Sequence, residues 1–177
     1  MENETTLQQR KVFLDSNVWI EILAFRTPVK PHEILQTQLA SNLMKSIKGQ
    51  NNIIICTCHQ QLIEIIHSIQ KVKFREFNTN LKSVNKKCIN SMKEFRAYPD
   101  FKNVSRVCKM AIEDIKVLAQ INNQTELPID EILDNMHLVD ITDYIFYDYC
   151  KNNDIELYTF DKELKDMDSN NIVTLLQ

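Results

Sequence analysis

Four stretches of the chain are apolar for several residues in a row and bounded by polar ones. They are Val12-Phe13-Leu14 within 11–14, Ile53-Ile54-Ile55-Cys56, residues 155–160, and Ile172-Val173-Thr174-Leu175-Leu176. Short runs of this kind predict strands buried on both faces. Between them apolar positions recur at helical spacing. Val18, Ile22 and Phe25 predict a helix over 16–25, capped by Ser16 or Asn17. Ile34, Leu35, Leu39, Leu43 and Ile47 predict a second helix over 32–48, begun by Pro31 and ended by Gly49. A third opens at Thr57 or Cys58, with Leu62, Ile65, Ile66 and Ile69 as its core stripe and Ile63 on the flank. Residues 71–135 contain no strong strand run and read as helices at about 76–95, 102–121 and 128–136, punctuated by Pro99 and Pro128. Asp140 or Thr142 caps a helix over 143–151. Strands alternating with helices across long crossovers predict an α/β fold. Its sheet is mostly parallel and covered on both faces, in one domain (1–177) with a helical insertion at about 71–135.

At 177 residues, 44% apolar and 25% charged, the chain has the composition of one globular domain with a full core. No stretch approaches the roughly 20 apolar residues that a membrane helix requires. The opening MENETTLQQRK is polar, lacks the apolar core of a secretory signal and reads as a short tail before the first strand. Five cysteines at scattered spacings, without such a signal, predict reduced thiols and a cytoplasmic protein. Cys56-Thr57-Cys58-His59 resembles half of a zinc site but has no second ligand pair at regular spacing, so Cys56 reads as a small core residue. A single glycine excludes a glycine-rich phosphate loop. Any phosphate bound here must be held by a metal or by cationic side chains.

Charge is unevenly placed. Residues 71–109 hold eleven basic side chains against three acidic ones, a net of +8. With −3 for the whole chain, −11 falls to the remainder. Segregation of this kind suits a polyanion better than an interleaved solvated face does, and makes Lys71, Lys73, Arg75, Lys82, Lys86 and Lys87 candidate nucleic-acid contacts.

Four acids fall where predicted strands or helices begin or end. Asp15 follows the first strand and Asp161 follows the 155–160 strand. Glu64 lies on the helix after the second strand, at the edge of its core stripe, and Asp143 lies in the first turn of the aromatic helix. Each has a plain alternative role as a cap or a solvated position. Because Ser16 and Asn17 are available as caps, Asp15 is expected to be free for another task. Asp140 is expected to act as cap or outer partner, leaving Asp143 for the site. Asn17 and Thr159 are expected to support it, and Gln60 and Gln61 stand at the start of the same helix as Glu64. Carboxylates gathered at the carboxyl edge of a sheet raise one another's pKa unless a cation is present. The expectation is therefore a divalent metal site and phosphate chemistry.

These residues resemble the PIN-domain nucleases in three places: the opening VFLDSNVWI, a Glu in the helix after the second strand, and DYIFYDYCKNNDIELYTFD, an Asp-led helix followed by a strand ending Thr-x-Asp. The resemblance runs from residue 11 to 176, with a weak match over about 65 residues in the middle. It implies a three-layer α/β/α sandwich and a Mg²⁺- or Mn²⁺-dependent ribonuclease with Asp15, Glu64, Asp143 and Asp161 as its catalytic and metal-binding acids. It also implies RNA as substrate and, because many bacterial members are toxins of toxin–antitoxin pairs, a small antitoxin as partner. Tyr144, Tyr147, Asp148 and Tyr149 depart from the small residues commoner in that helix. A homodimer could form through the 143–151 helix or the helices after Pro31. Two other classes fit parts of the pattern. One is a non-catalytic RNA- or partner-binding module. The other is a haloacid-dehalogenase-type phosphohydrolase, which would want an Asp where Asn17 stands and a better lysine than Lys162.

Overall fold

The computed structural model describes residues 9–25, 27–122, 127 and 129–177, so most of the expected N-terminal tail (1–8) lies outside the described residues. Five strands form one sheet: β1 (Arg10–Leu14), β2 (Ile53–Thr57), β3 (Gln120–Ile121), β4 (Glu156–Thr159) and β5 (Val173–Leu175). Their order is β3-β2-β1-β4-β5 and every pairing is parallel. Among the described residues eight helices connect them. They are α1 (Ser16–Ile22), α2 (Pro31–Lys48), α3 (His59–Ser83), α4 (Met92–Phe95), α5 (Phe101–Leu118), α6 (Ile129–Asn135), α7 (Ile141–Asn152) and α8 (Lys162–Met167).

Strand alternation divides the core in two. Val12 and Leu14 of β1 and Ile55 of β2 face buried residues of α1, α2, α3 and α5. Phe13, Cys56 and Leu157 face the opposite way, against α6, α7 and α8. A strand whose successive side chains are both buried needs helices on both faces, and the crossovers provide them. The arrangement is compatible with a three-layer sandwich. The aromatic bulk of α7 is core: Tyr144, Tyr147 and Tyr149 are buried, and Phe13 stacks on Phe146 and Tyr149 at centroid distances of 5.4 and 5.8 Å. That helix therefore has no aromatic surface to offer a second copy of the chain.

Several expectations are corrected. The segment 71–135 is not purely helical, because Gln120 and Ile121 form β3 at the sheet edge, too short to show a period of two. The helix expected over 76–95 is two pieces. α3 runs unbroken to Ser83, the chain turns with Asn85 at φ 56°, and α4 is a single turn. In α2 the buried residues are Ala40, Met44 and Ile47, while Ile34 and Leu35 are exposed, so the true stripe lies one position round from the expected one. Ile63, expected on the flank of the core, is exposed as well. Gly49 ends α2 at φ −77°, a conformation open to any residue. With a single glycine in the chain, left-handed positions among the described residues fall to Asn85, Asp154 and Asn171, the types that tolerate them best, and to Ala24 at φ 50°, just past α1.

Candidate active site

In this strand order the chain runs outward from β1 to one edge and then returns to the other side of β1 as β4. The switch point therefore lies between β1 and β4, and a crevice opens at their carboxyl ends. Asp15 is the first residue past β1. Its backbone N–H donates to the Tyr158 carbonyl at 2.9 Å, which ties it to β4. Thr159 closes β4, and Asp161 follows two residues on. One cleft is lined by Asp15, Glu64, Asp143 and Asp161, together with Ser16, Asn17, Glu21 and Ser68. The four acids, drawn from positions up to 146 residues apart, thus share one cleft.

Their support is specific. Asp15 is 2% exposed. Contrary to expectation it is itself the cap of α1: Oδ1 accepts from the Ser16 N–H at 2.6 Å, and Oδ2 accepts from the Thr159 hydroxyl at 2.6 Å. The Ser16 hydroxyl donates to Glu64 Oε2, so one serine ties the first and second acids together. The Thr159 oxygen in turn accepts the Asp161 backbone N–H at 2.8 Å, and Asn17 lies 3.4 Å from it. Asp161 also caps α8, accepting from the Glu163 N–H at 2.7 Å. Asp140 caps α7 by accepting from the Thr142 N–H at 3.0 Å. That leaves Asp143, one turn in, without a hydrogen-bond donor among the described residues.

The electrostatics follow from burial and like charge. Burial pushes Asp15 up to about 6, with Glu64 and Asp161 adding to the rise and the Thr159 hydroxyl opposing it. Asp143 is pushed up to about 8 by burial and then by the charges of Asp15, Glu64, Asp161 and Asp140. Glu64 is raised by burial first and by Asp140, against the Ser16 hydrogen bond and the Lys71 charge. The buried Asp15 and the half-buried Glu64, Asp143 and Asp161 offer the cleft carboxylate oxygens, the donor type that hard cations such as Mg²⁺ or Mn²⁺ prefer. The side chains surround the cleft without meeting at one point. Among the described residues no three His, Cys, Asp or Glu side chains are grouped closely enough to hold an ion.

Three supporting residues take roles that the sequence left open or did not point to. Gln61 is fully buried: its amide donates to the Leu14 carbonyl at 2.8 Å and accepts from the Thr57 hydroxyl at 2.7 Å, locking the ends of β1 and β2 where Asp15 and α3 begin. The signal was present, since Gln61 stands four residues before Ile65 and eight before Ile69 on the core stripe of α3. Ser16 was read only as a cap. Glu21, 6% exposed, accepts from the Thr37 hydroxyl at 2.5 Å on the cleft wall.

The expected nucleic-acid contacts separate. Lys71 is exposed two turns beyond Glu64 on α3. Lys73 is held by the Phe25 carbonyl at 3.1 Å and by Glu76 at 2.8 Å. Arg75 lines a neighbouring hollow. Lys82 lies 18 residues past Glu64 on the same helix, roughly 27 Å away at 1.5 Å per residue, and Lys86 and Lys87 lie beyond the end of that helix. Those three do not reach the cleft. Cys56 and Cys58 are buried in the core against α7, where burial raises both thiols.

No known protein-family model matches the chain, and a search of curated proteins finds no match. No helix among the described residues is long and apolar enough to cross a membrane.

Proposed function

We propose that this protein is a Mg²⁺- or Mn²⁺-dependent endoribonuclease with a PIN-like fold, hydrolysing RNA phosphodiester bonds at the switch-point cleft. The observation that carries this reading is the placement of Asp15, Glu64, Asp143 and Asp161 around one cleft between the β1 and β4 ends, with Asp143 raised to about 8 by burial first and then by the charges of its neighbours. Protein that carries such a cluster destabilises itself near neutral pH unless something positive occupies the cleft.

Asp15, Glu64, Asp143 and Asp161 would hold the ion. When bound, it makes water acidic enough to serve as a nucleophile near neutral pH and offsets charge on the phosphate oxygens. The chain's own contribution is placement. The β1–β4 ladder, Ser16 and Thr159 fix Asp15 from both oxygens, as suits a ligand that must not swing. Ser16 sets Glu64 over the strand end. Gln61 keeps the two strand ends in register beneath them. The raised Asp143 is the acid best suited to give up a proton as the ion enters. Asn17 donates to Thr159 and accepts from the Phe160 N–H, both at 3.4 Å, so it braces the β4 end. A cleft of this chemistry would be closed by a small protein presenting a basic side chain, which is the role an antitoxin would fill.

The test is cleavage of single-stranded RNA by the full chain. Activity should appear with Mg²⁺ or Mn²⁺, vanish with EDTA and return when the ion is resupplied. Cleavage undiminished by chelation would overturn the proposal.

A further inference from the structure

Beyond the acidic cleft, α3 forms the floor of a second hollow. It is lined by Thr27, Lys30, Glu33, Arg75, Thr79 and Asn80, and Val72 forms a wall of both depressions. The two are therefore adjoining parts of one path along the helix. Arg75 and Lys30 are exposed and make no ion pair among the described residues. Two acids line the hollow as well: Glu33 accepts from the Val29 and Lys30 N–H groups at 3.0 and 3.1 Å on its rim, and the charge of Glu76 is matched by Lys73 at 2.8 Å, so Lys30 and Arg75 outweigh the acids by one charge. What the hollow presents as donors is two cations and the Asn80 amide, the Thr79 hydroxyl being committed to the Arg75 carbonyl at 3.0 Å. That is a set for phosphate oxygens rather than for base edges.

From this continuity we propose that the hollow is a backbone-binding subsite for the single strand as it leaves the acidic cleft. The proposal rests on the nuclease reading for the identity of the strand. Eight residues of helix separate Glu64 from Val72 and sixteen separate it from Asn80, roughly 12 and 24 Å at 1.5 Å per residue. At about 3.4 Å per stacked nucleotide, the subsite holds phosphates roughly four to seven nucleotides from the reaction centre on one side. Lys30, not among the basic residues expected from sequence, is part of it. Lys86 and Lys87, past the end of α3, are not.

The test is fluorescence anisotropy of labelled single-stranded RNA of about twelve nucleotides, within the span that such grooves cover. It is run on the full chain carrying Asp15→Asn to prevent cleavage. The double variant Lys30→Gln/Arg75→Gln should bind about tenfold more weakly and lower the slope of log affinity against log salt by about 1.4, or about 0.7 for each cation on a single strand. Lys86→Gln/Lys87→Gln should leave both unchanged. RNA shorter than about four nucleotides should bind both forms equally, because it does not reach the hollow. Unchanged affinity and salt slope in the Lys30/Arg75 variant would overturn the subsite. Cleavage is scored separately in the same substitutions on the Asp15 background. Cleaving protein with an unaltered slope sinks the subsite alone, and an altered slope in a chain that never cleaves sinks the nuclease reading alone.

Discussion

Asp15→Asn is expected to lower RNA cleavage by on the order of 10³-fold or more while leaving the melting temperature undiminished. The substitution is nearly isosteric. An asparagine oxygen still accepts from the Ser16 N–H, so the start of α1 stays capped, while the Thr159 hydroxyl loses its carboxylate acceptor, a cost that the relieved charge offsets. What disappears is a buried negative charge whose pKa stands at about 6, so at pH 7 its removal relieves the fold. Kinetics and a thermal melt on the same preparation check both halves. Cleavage surviving within about tenfold of the parent would remove Asp15 from the chemistry, since tenfold corresponds to only about 1.4 kcal/mol of barrier.

The second large effect belongs to Asp143, and its sign is set by linkage. In the folded, metal-free protein Asp143 keeps its proton until about pH 8, whereas in the unfolded chain it loses it near 3.8. The folded state then binds more protons throughout that interval. The contribution of Asp143 to stability is full below about pH 4 and is lost as pH rises towards 8. Asp143→Asn removes that slope. In EDTA at pH 8 the variant is expected to be more stable than the parent by on the order of 2 kcal/mol, after allowing for solvent screening at a cleft open on one side. For a chain of this size that is about 4–8 °C in melting temperature. At pH 4 the two should melt together. With Mn²⁺ at a hundredfold over the parent's Kd the gap should narrow to under about 1 kcal/mol, because an ion that binds only the folded state stabilises the parent by about 2.7 kcal/mol and a variant that binds it tenfold more weakly by only about 1.4 kcal/mol. A variant less stable than the parent in EDTA at pH 8 would show that Asp143 is held by a partner instead of strained by its neighbours.

The legible parts of this fold were those with a strong period. Runs such as Ile53-Ile54-Ile55 announce strands buried on both faces, and four of the five strands were visible that way. β3 was not, because Gln120-Ile121 is a pair whose strand character comes only from lying beside Cys56 and Thr57. The length of α3 was hidden by charge: residues 70–83 are mostly polar, and the helix persists there because Phe74, Phe77 and Leu81 pack under α4 and α5. The four acids could be named from their positions at element boundaries, yet a capping role does not take a residue out of the cleft. Asp15 caps α1 and faces the cleft at once, since a carboxylate has lone pairs enough for both. The role of Gln61 stayed undecided for a different reason. A glutamine on a core stripe looks like an error until the tertiary structure supplies the Leu14 carbonyl and the Thr57 hydroxyl.

The most direct measurement is a calorimetric titration of Mn²⁺ into the full chain at pH 7, repeated in buffers of different ionisation heat. Proton release should accompany binding, because an acid poised near 8 must ionise to take the ion. Asp15→Asn, Glu64→Gln, Asp143→Asn and Asp161→Asn should each weaken binding by about tenfold or more. A chain that takes up no Mn²⁺, or takes it up equally well after each of those changes, would contradict the shared carboxylate site.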